Sequence, residues 1–96
     1  MDADDLLKSK RAEILRLAAR HGARNVRLFG SVTRGEAGSS SDIDFLVEME
    51  PGRSFLDLVA FWQDLEEVLG RRVDVITDGG VSQYLRDRIY AEAVPL

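Results

Sequence analysis

The sequence predicts an α/β domain: a small mixed sheet of three or so strands, or slightly larger, in the order α-β-turn-β-α-β-α. Three observations predict it. Two long segments, residues 2–20 and 55–69, carry apolar residues at helical spacing. Three short apolar runs, 26–30, 42–48 and 72–76, have the length and alternation of strands. Glycines or a Pro-Gly pair stand between these segments, at Gly22, Gly30, Pro51-Gly52 and Gly70.

The first helix spans 2–20, with Leu7, Ile14, Leu17 and Ala18 on one stripe and Lys8, Arg11, Arg16 and Arg20 largely off it. Gly22 stops it. The strand at 26–30 ends on Gly30, and the polar stretch 31–41 holds a turn and room for one helical turn. After the strand at 42–48, Ser54 caps the second helix and Asp57 completes a short-acid capping box. Phe55, Leu58, Val59, Trp62, Leu65 and Leu69 are expected to form its core ridge, and Gly70 to end it. The third strand, 72–76, leads through a loop at 77–80 to a last helix. Ser82 is the expected cap of that helix, and Leu85 and Ile89 face inward. The helical connection between strands two and three suits a parallel right-handed crossover, and the short first connection an antiparallel pair.

The 96 residues are expected to form a single domain, 1–96, without room for a substrate pocket between two cores. Thirteen Lys and Arg against 17 Asp and Glu give a net charge of −4, which argues against a general nucleic-acid binder. The absence of cysteine removes disulfides and thiolate chemistry, and a lone His21 makes a histidine triad improbable. The basic start of a signal peptide is missing and the longest apolar run, 58–62, is far below a membrane span, so a cytoplasmic protein without membrane contact is expected.

The chemistry concentrates in two stretches, Leu28-Phe29-Gly30-Ser31-Val32-Thr33-Arg34-Gly35 and Ser41-Asp42-Ile43-Asp44-Phe45-Leu46-Val47. Asp42 and Asp44 are two apart on a strand, so their carboxylates leave the same face. Such neighbours repel unless a cation sits between them, and hard carboxylate oxygens suit Mg²⁺. Asp74, between Val73 and Val75, joins them if its strand lies alongside; its lesser reading is a charge guarding an edge strand. Three acids on neighbouring strands can hold two metal ions. Gly30 lets a ligand approach the backbone, and Ser31 offers a hydroxyl and an N–H to phosphate, a role compatible with helix capping. Arg34 has two readings, a phosphate contact or a surface pair with Glu36.

Gly-Ser, then Arg-Gly, then Ser-Asp-x-Asp at this spacing resembles the nucleotidyltransferase fold shared with DNA polymerase beta. More closely it resembles the minimal nucleotidyltransferase (MNT) proteins, over nearly the whole chain, including Val73-Asp74-Val75 and the ending Ile89-Tyr90-Ala91-Glu92-Ala93-Val94. The resemblance implies that Asp42, Asp44 and Asp74 are catalytic metal ligands and that Gly30 and Ser31, with Arg34, bind the nucleotide triphosphate. It implies transfer of AMP from ATP, with Mg²⁺, to a hydroxyl, Asp74 helping to deprotonate the acceptor. The implied acceptor is a tyrosine of a partner HEPN ribonuclease toxin, for which the MNT protein is the antitoxin. Two alternatives remain, an antitoxin acting by binding alone and a small-molecule adenylyltransferase of the antibiotic-modifying kind.

The remaining residues have structural readings. His21 serves a helix end, Trp62 and Phe55 the core, and Tyr84 and Tyr90 packing of the last helix. The basic residues of the first helix form a solvated face; with Arg24 and Arg27 they offer a minority reading as a surface for an acidic partner.

Overall fold

The computed structural model describes residues 3–35, 42–80 and 83–96. A first helix, α1 (Ala3–His21), leads to strand β1 (Ala23–Phe29) and a single 3₁₀ turn at Gly30–Val32. Strand β2 (Ile43–Met49), helix α2 (Phe55–Leu69) and strand β3 (Val73–Thr77) follow. A 3₁₀ turn at Asp78–Gly80, helix α3 (Arg86–Glu92) and a two-residue strand, β4 (Val94–Pro95), complete the chain. The sheet order is β3-β2-β1-β4. As the connection lengths predict, β1 and β2 are antiparallel and β2 and β3 parallel.

The fourth strand is an addition to the expected order. It pairs Val94 with Leu28 and Pro95 with Arg27 on the outer side of β1, and Leu96 N–H donates to Val26 C=O at 3.0 Å. Pro95 is tolerated there because an edge strand can spare a donor. The strand β1 also begins earlier than expected. Asn25 takes a positive φ of 51° where the register with β2 shifts, an irregularity that asparagine tolerates better than most residues.

Helices α1 and α2 cover one face of the sheet. Leu7, Ile14 and Ala18 meet Val26 and Leu28, Ile43, Phe45 and Val47, and Val73 and Val75 in one continuous core. The capping box is present, Ser54 N–H donating to Asp57 at 2.8 Å and Ser54 accepting from Leu56 N–H. The core ridge of α2 differs from the expectation. Phe61 is fully buried with Leu65 and Leu69, Leu58 and Trp62 are partly buried, and Phe55 is 74% exposed. Phe55, in the first turn of α2, stays outside the core cluster, while Phe61 joins the cluster that holds Val73 and Val75, its ring centroid 6.3 Å from that of His21. Two polar contacts tie α2 to β3: Trp62 Nε1 donates to Val73 C=O at 2.8 Å, and Val73 N–H donates to Glu66 at 3.1 Å. His21 meets Asp64 at 2.6 Å, so it joins α1 to α2 rather than only finishing a helix.

The other face carries α3, which is shorter than expected. Ile89 is buried on Phe29 and Leu46, but Leu85, just before the helix, is 49% exposed and not inward-facing. Ser82, the expected cap, lies outside the described residues. Tyr84 is 89% exposed instead of packed, and Tyr90 is partly exposed with its ring 5.8 Å from the Arg27 guanidinium. Arg27 itself pairs with Asp78 at 2.7 Å, and Arg24 with Glu48 at 3.7 Å, so both basic residues have acidic neighbours within the chain. Among the described residues no helix is long and apolar enough to cross a membrane.

The two phenylalanines of α2 give a direct test of this packing. Phe61→Ala is expected to cost about 3–5 kcal/mol of stability, whereas Phe55→Ala should stay within about 0.5 kcal/mol of the parent. Chemical denaturation of the two variants checks the order, and equal losses would contradict the packing of α2.

Candidate active site

Strand pairing assembles the site. In the parallel ladder Asp44 lies directly beside Asp74, with Ile43 beside Val73 and Phe45 beside Val75. The valines, Ile43 and Phe45 point into the helical core, so both acids leave the opposite face. Asp42 immediately precedes β2, near enough for its charge to act on Asp44. Ser41 lies outside the described residues. In the antiparallel ladder Phe29 is the partner of Asp44, which brings the next residue, Gly30, against that carboxylate.

Gly30 has φ +76°, the left-handed region that favours glycine, and a Cβ built there would collide with Asp44 Oδ2. Both the dihedral and the contact therefore require glycine. The chain then turns tightly: Thr33 and Arg34 N–H both donate to Gly30 C=O, and the Thr33 hydroxyl donates to the same oxygen at 2.8 Å. Ser31 sits within this turn, half-buried, and does not cap it: Phe29 holds the capping position and no side chain caps the turn.

The acids are electrostatically strained. Asp44 has its pKa raised from 3.8 to about 6, foremost by burial, then by the Asp74 charge and a hydrogen bond to Asp74, then by Asp42, while Arg34 opposes the rise. Asp74 is exposed. Arg34 Nη1 donates to both oxygens of Glu92, at 2.9 and 3.1 Å, while Glu36, the partner of its surface reading, lies outside the described residues. Sequence reading had no access to this pair, since 58 positions separate the two residues.

Among the described residues no three acids converge closely enough to hold an ion by themselves. The donor set nevertheless fits Mg²⁺, which is bound through one or two carboxylates with waters and substrate phosphates completing its shell. Asp44 and Asp74 supply adjacent hard oxygens, and the mutual repulsion that raises Asp44 is what a cation would relieve.

A turn with a left-handed glycine, set against paired acids on an α-crossed parallel strand pair, suits a ligand that brings phosphates and a hard cation together. The model of the nucleotidyltransferase domain family matches residues 11–96, and the chain belongs to that family. It is accordingly a transferase. A Methanocaldococcus jannaschii relative, provisionally named a protein adenylyltransferase, is 46% identical over 82 residues, 85% of this chain and 88% of that protein. Protein adenylyltransferase MntA of Thermococcus cleftensis is 36% identical over 78 residues, 81% of this chain and 79% of its own length. A solved structure described as a minimal nucleotidyltransferase is 47% identical, with TM-score 0.87 over 100% of this chain and 97% of the other. The resemblance to the MNT proteins is thereby borne out. Two toxin–antitoxin complexes share the fold. One contains AMP-PNP (22% identity, TM-score 0.74, 88% of this chain and 69% of the other). The second joins a tri-AMPylated Shewanella oneidensis HEPN toxin to an MNT antitoxin (19% identity, TM-score 0.69, 92% and 69%).

The raised pKa of Asp44 has a stability consequence with a definite sign. Because the folded value of about 6 lies above 3.8, the folded state binds the extra proton between them. That stabilisation is complete below the lower value and is lost as pH rises through the upper one. In the absence of divalent cations, the parent protein should lose melting temperature relative to Asp44→Asn as pH is raised from about 4 to about 7. A pH series of thermal melts in chelator checks this, and parallel curves would contradict it.

Proposed function

We propose that this chain transfers AMP from ATP to a hydroxyl on a partner protein, and that the acceptor is a tyrosine of a HEPN ribonuclease toxin for which the chain is the antitoxin. The observation that carries the reading is Asp44 abreast of Asp74 with Gly30 packed on the Asp44 carboxylate. The names of the relatives, protein adenylyltransferases, support the reaction class, and the shared fold of the MNT antitoxin beside an AMPylated HEPN toxin supports the partner. A cytoplasmic setting, where ATP is plentiful, goes with this reading.

In this proposal Asp42, Asp44 and Asp74 hold Mg²⁺, in two ions, and Gly30 and Ser31 receive the triphosphate with Arg34 close by. When bound, Mg²⁺ supplies charge neutralisation at the phosphates and at the attacking oxygen. The chain's own contributions are positional. Gly30 lacks the side chain that would bar approach to Asp44. Ser31 presents an N–H and a hydroxyl on a turn fixed by the Thr33 and Arg34 bonds to Gly30 C=O. Asp74, the more exposed acid, stands on the open edge strand, where it can accept the proton of an incoming hydroxyl. The attacking oxygen bonds to the α-phosphorus, the bond to the bridging oxygen breaks, and pyrophosphate leaves. A partner that brings its own tyrosine into line supplies the orientation such a transfer chiefly needs. Added AMP would place bulk and negative charge where RNA phosphates must lie, which accounts for neutralisation.

Incubation of the protein with its HEPN partner, ATP and Mg²⁺ should raise the partner's mass by one or more AMP units, and Asp44→Asn should abolish the rise. Mass spectrometry of the intact partner reads the result. Neutralisation without any mass change, equally strong with Asp44→Asn, would replace transfer by simple occlusion.

A further inference from the structure

Arg34 and Glu92 are joined across the acid face of the sheet. Both oxygens of the Glu92 carboxylate accept from Arg34 Nη1, and Gly30 N–H donates to the same carboxylate. Arg88, one turn earlier on α3, reaches Glu92 Oε1 at 3.7 Å. A groove lined by Phe29, Gly30, Arg34, Arg88, Ile89 and Glu92 opens at this point. Gly30 thus lies between two carboxylates, Glu92 on the side of its N–H and Asp44 where a side chain would stand.

We infer that Glu92 is a positioning residue for the nucleotide site, a clamp that fixes the turn at residues 30–34 against α3 and holds the Arg34 guanidinium beside the proposed triphosphate site. The inference rests on the proposed use of that turn for ATP. Its physical basis is the ion pair itself: both Glu92 oxygens accept from Arg34 Nη1, which ties the turn that begins at Gly30 to α3 and fixes the place of the guanidinium. Glu92 is suited to hold it. Burial acts to raise its pKa, but the Arg34 hydrogen bond and charge, the Gly30 N–H and Arg88 outweigh that and keep it below the usual carboxylate range, so the clamp stays charged at working pH.

The test is titration calorimetry of Mg·ATP with the whole chain and with Glu92→Gln, Glu92→Ala, Arg34→Ala and the double alanine variant, each with a thermal melt. Glu92→Ala and Arg34→Ala should each weaken ATP about tenfold, and the double variant no more than the weaker single, because the two act as one unit. Glu92→Gln keeps an acceptor for Gly30 N–H without the charge and should fall between; it carries the comparison if Glu92→Ala does not fold. Glu92→Ala binding ATP as tightly as the parent, or more tightly, would overturn the clamp, as would fully additive losses. A parent chain that binds no ATP would instead overturn the proposed function, and the clamp with it.

Discussion

Two carboxylates abreast on neighbouring parallel strands are an unfavourable arrangement, and the rest of this molecule is organised around keeping it. Asp44 and Asp74 are register partners. A slip of one residue between β2 and β3 would turn Asp74 into the helical core and expose Val73 and Val75. The register is held because Ile43, Phe45, Val47, Val73 and Val75 share one apolar layer under α1 and α2. Helix α2 reinforces it from the edge, where Trp62 and Glu66 take the C=O and N–H of Val73. Burial on one face thus enforces repulsion on the other.

The second constraint is the approach of β1. Its antiparallel pairing sets Phe29 opposite Asp44, and the chain must leave the sheet at the next residue without obstructing the acid. Only glycine satisfies both the positive φ and the missing volume at position 30. The turn beyond it closes on Gly30 C=O, so backbone bonds carry Ser31 and Arg34 to the acid face while Val32 packs on the core. Helix α3 then covers one half of that face, Ile89 resting on Phe29 and Leu46, and leaves the half that bears Asp44 and Asp74 accessible.

Much of this was legible in the sequence, for identifiable reasons. The alternation Asp42-Ile43-Asp44-Phe45 and Val73-Asp74-Val75 dictates which residues share a face, and connection lengths dictate strand direction. Helix faces were less legible. Apolar residues run almost all round α2, so periodicity could not separate the exposed Phe55 from the fully buried Phe61. Leu85 was misjudged because the start of α3 carries no side-chain cap to mark it. The two residues of β4 are too few to form a pattern. The partner of Arg34 was invisible because an ion pair 58 residues apart in sequence exists only once the sheet has brought α3 over Gly30.

The tension at Asp44 also links stability to ligand. Burial and two neighbouring acids raise its pKa to about 6, so the ionised form that a cation requires is the form the fold tolerates least. A bound cation reverses the sign of that interaction, turning mutual repulsion into shared attraction. Whatever binds the ionised pair stabilises the folded chain by mass action. Arg34, paired with Glu92 on α3, only partly offsets that repulsion, so the charge of Asp44 and Asp74 is left for an external cation to complete.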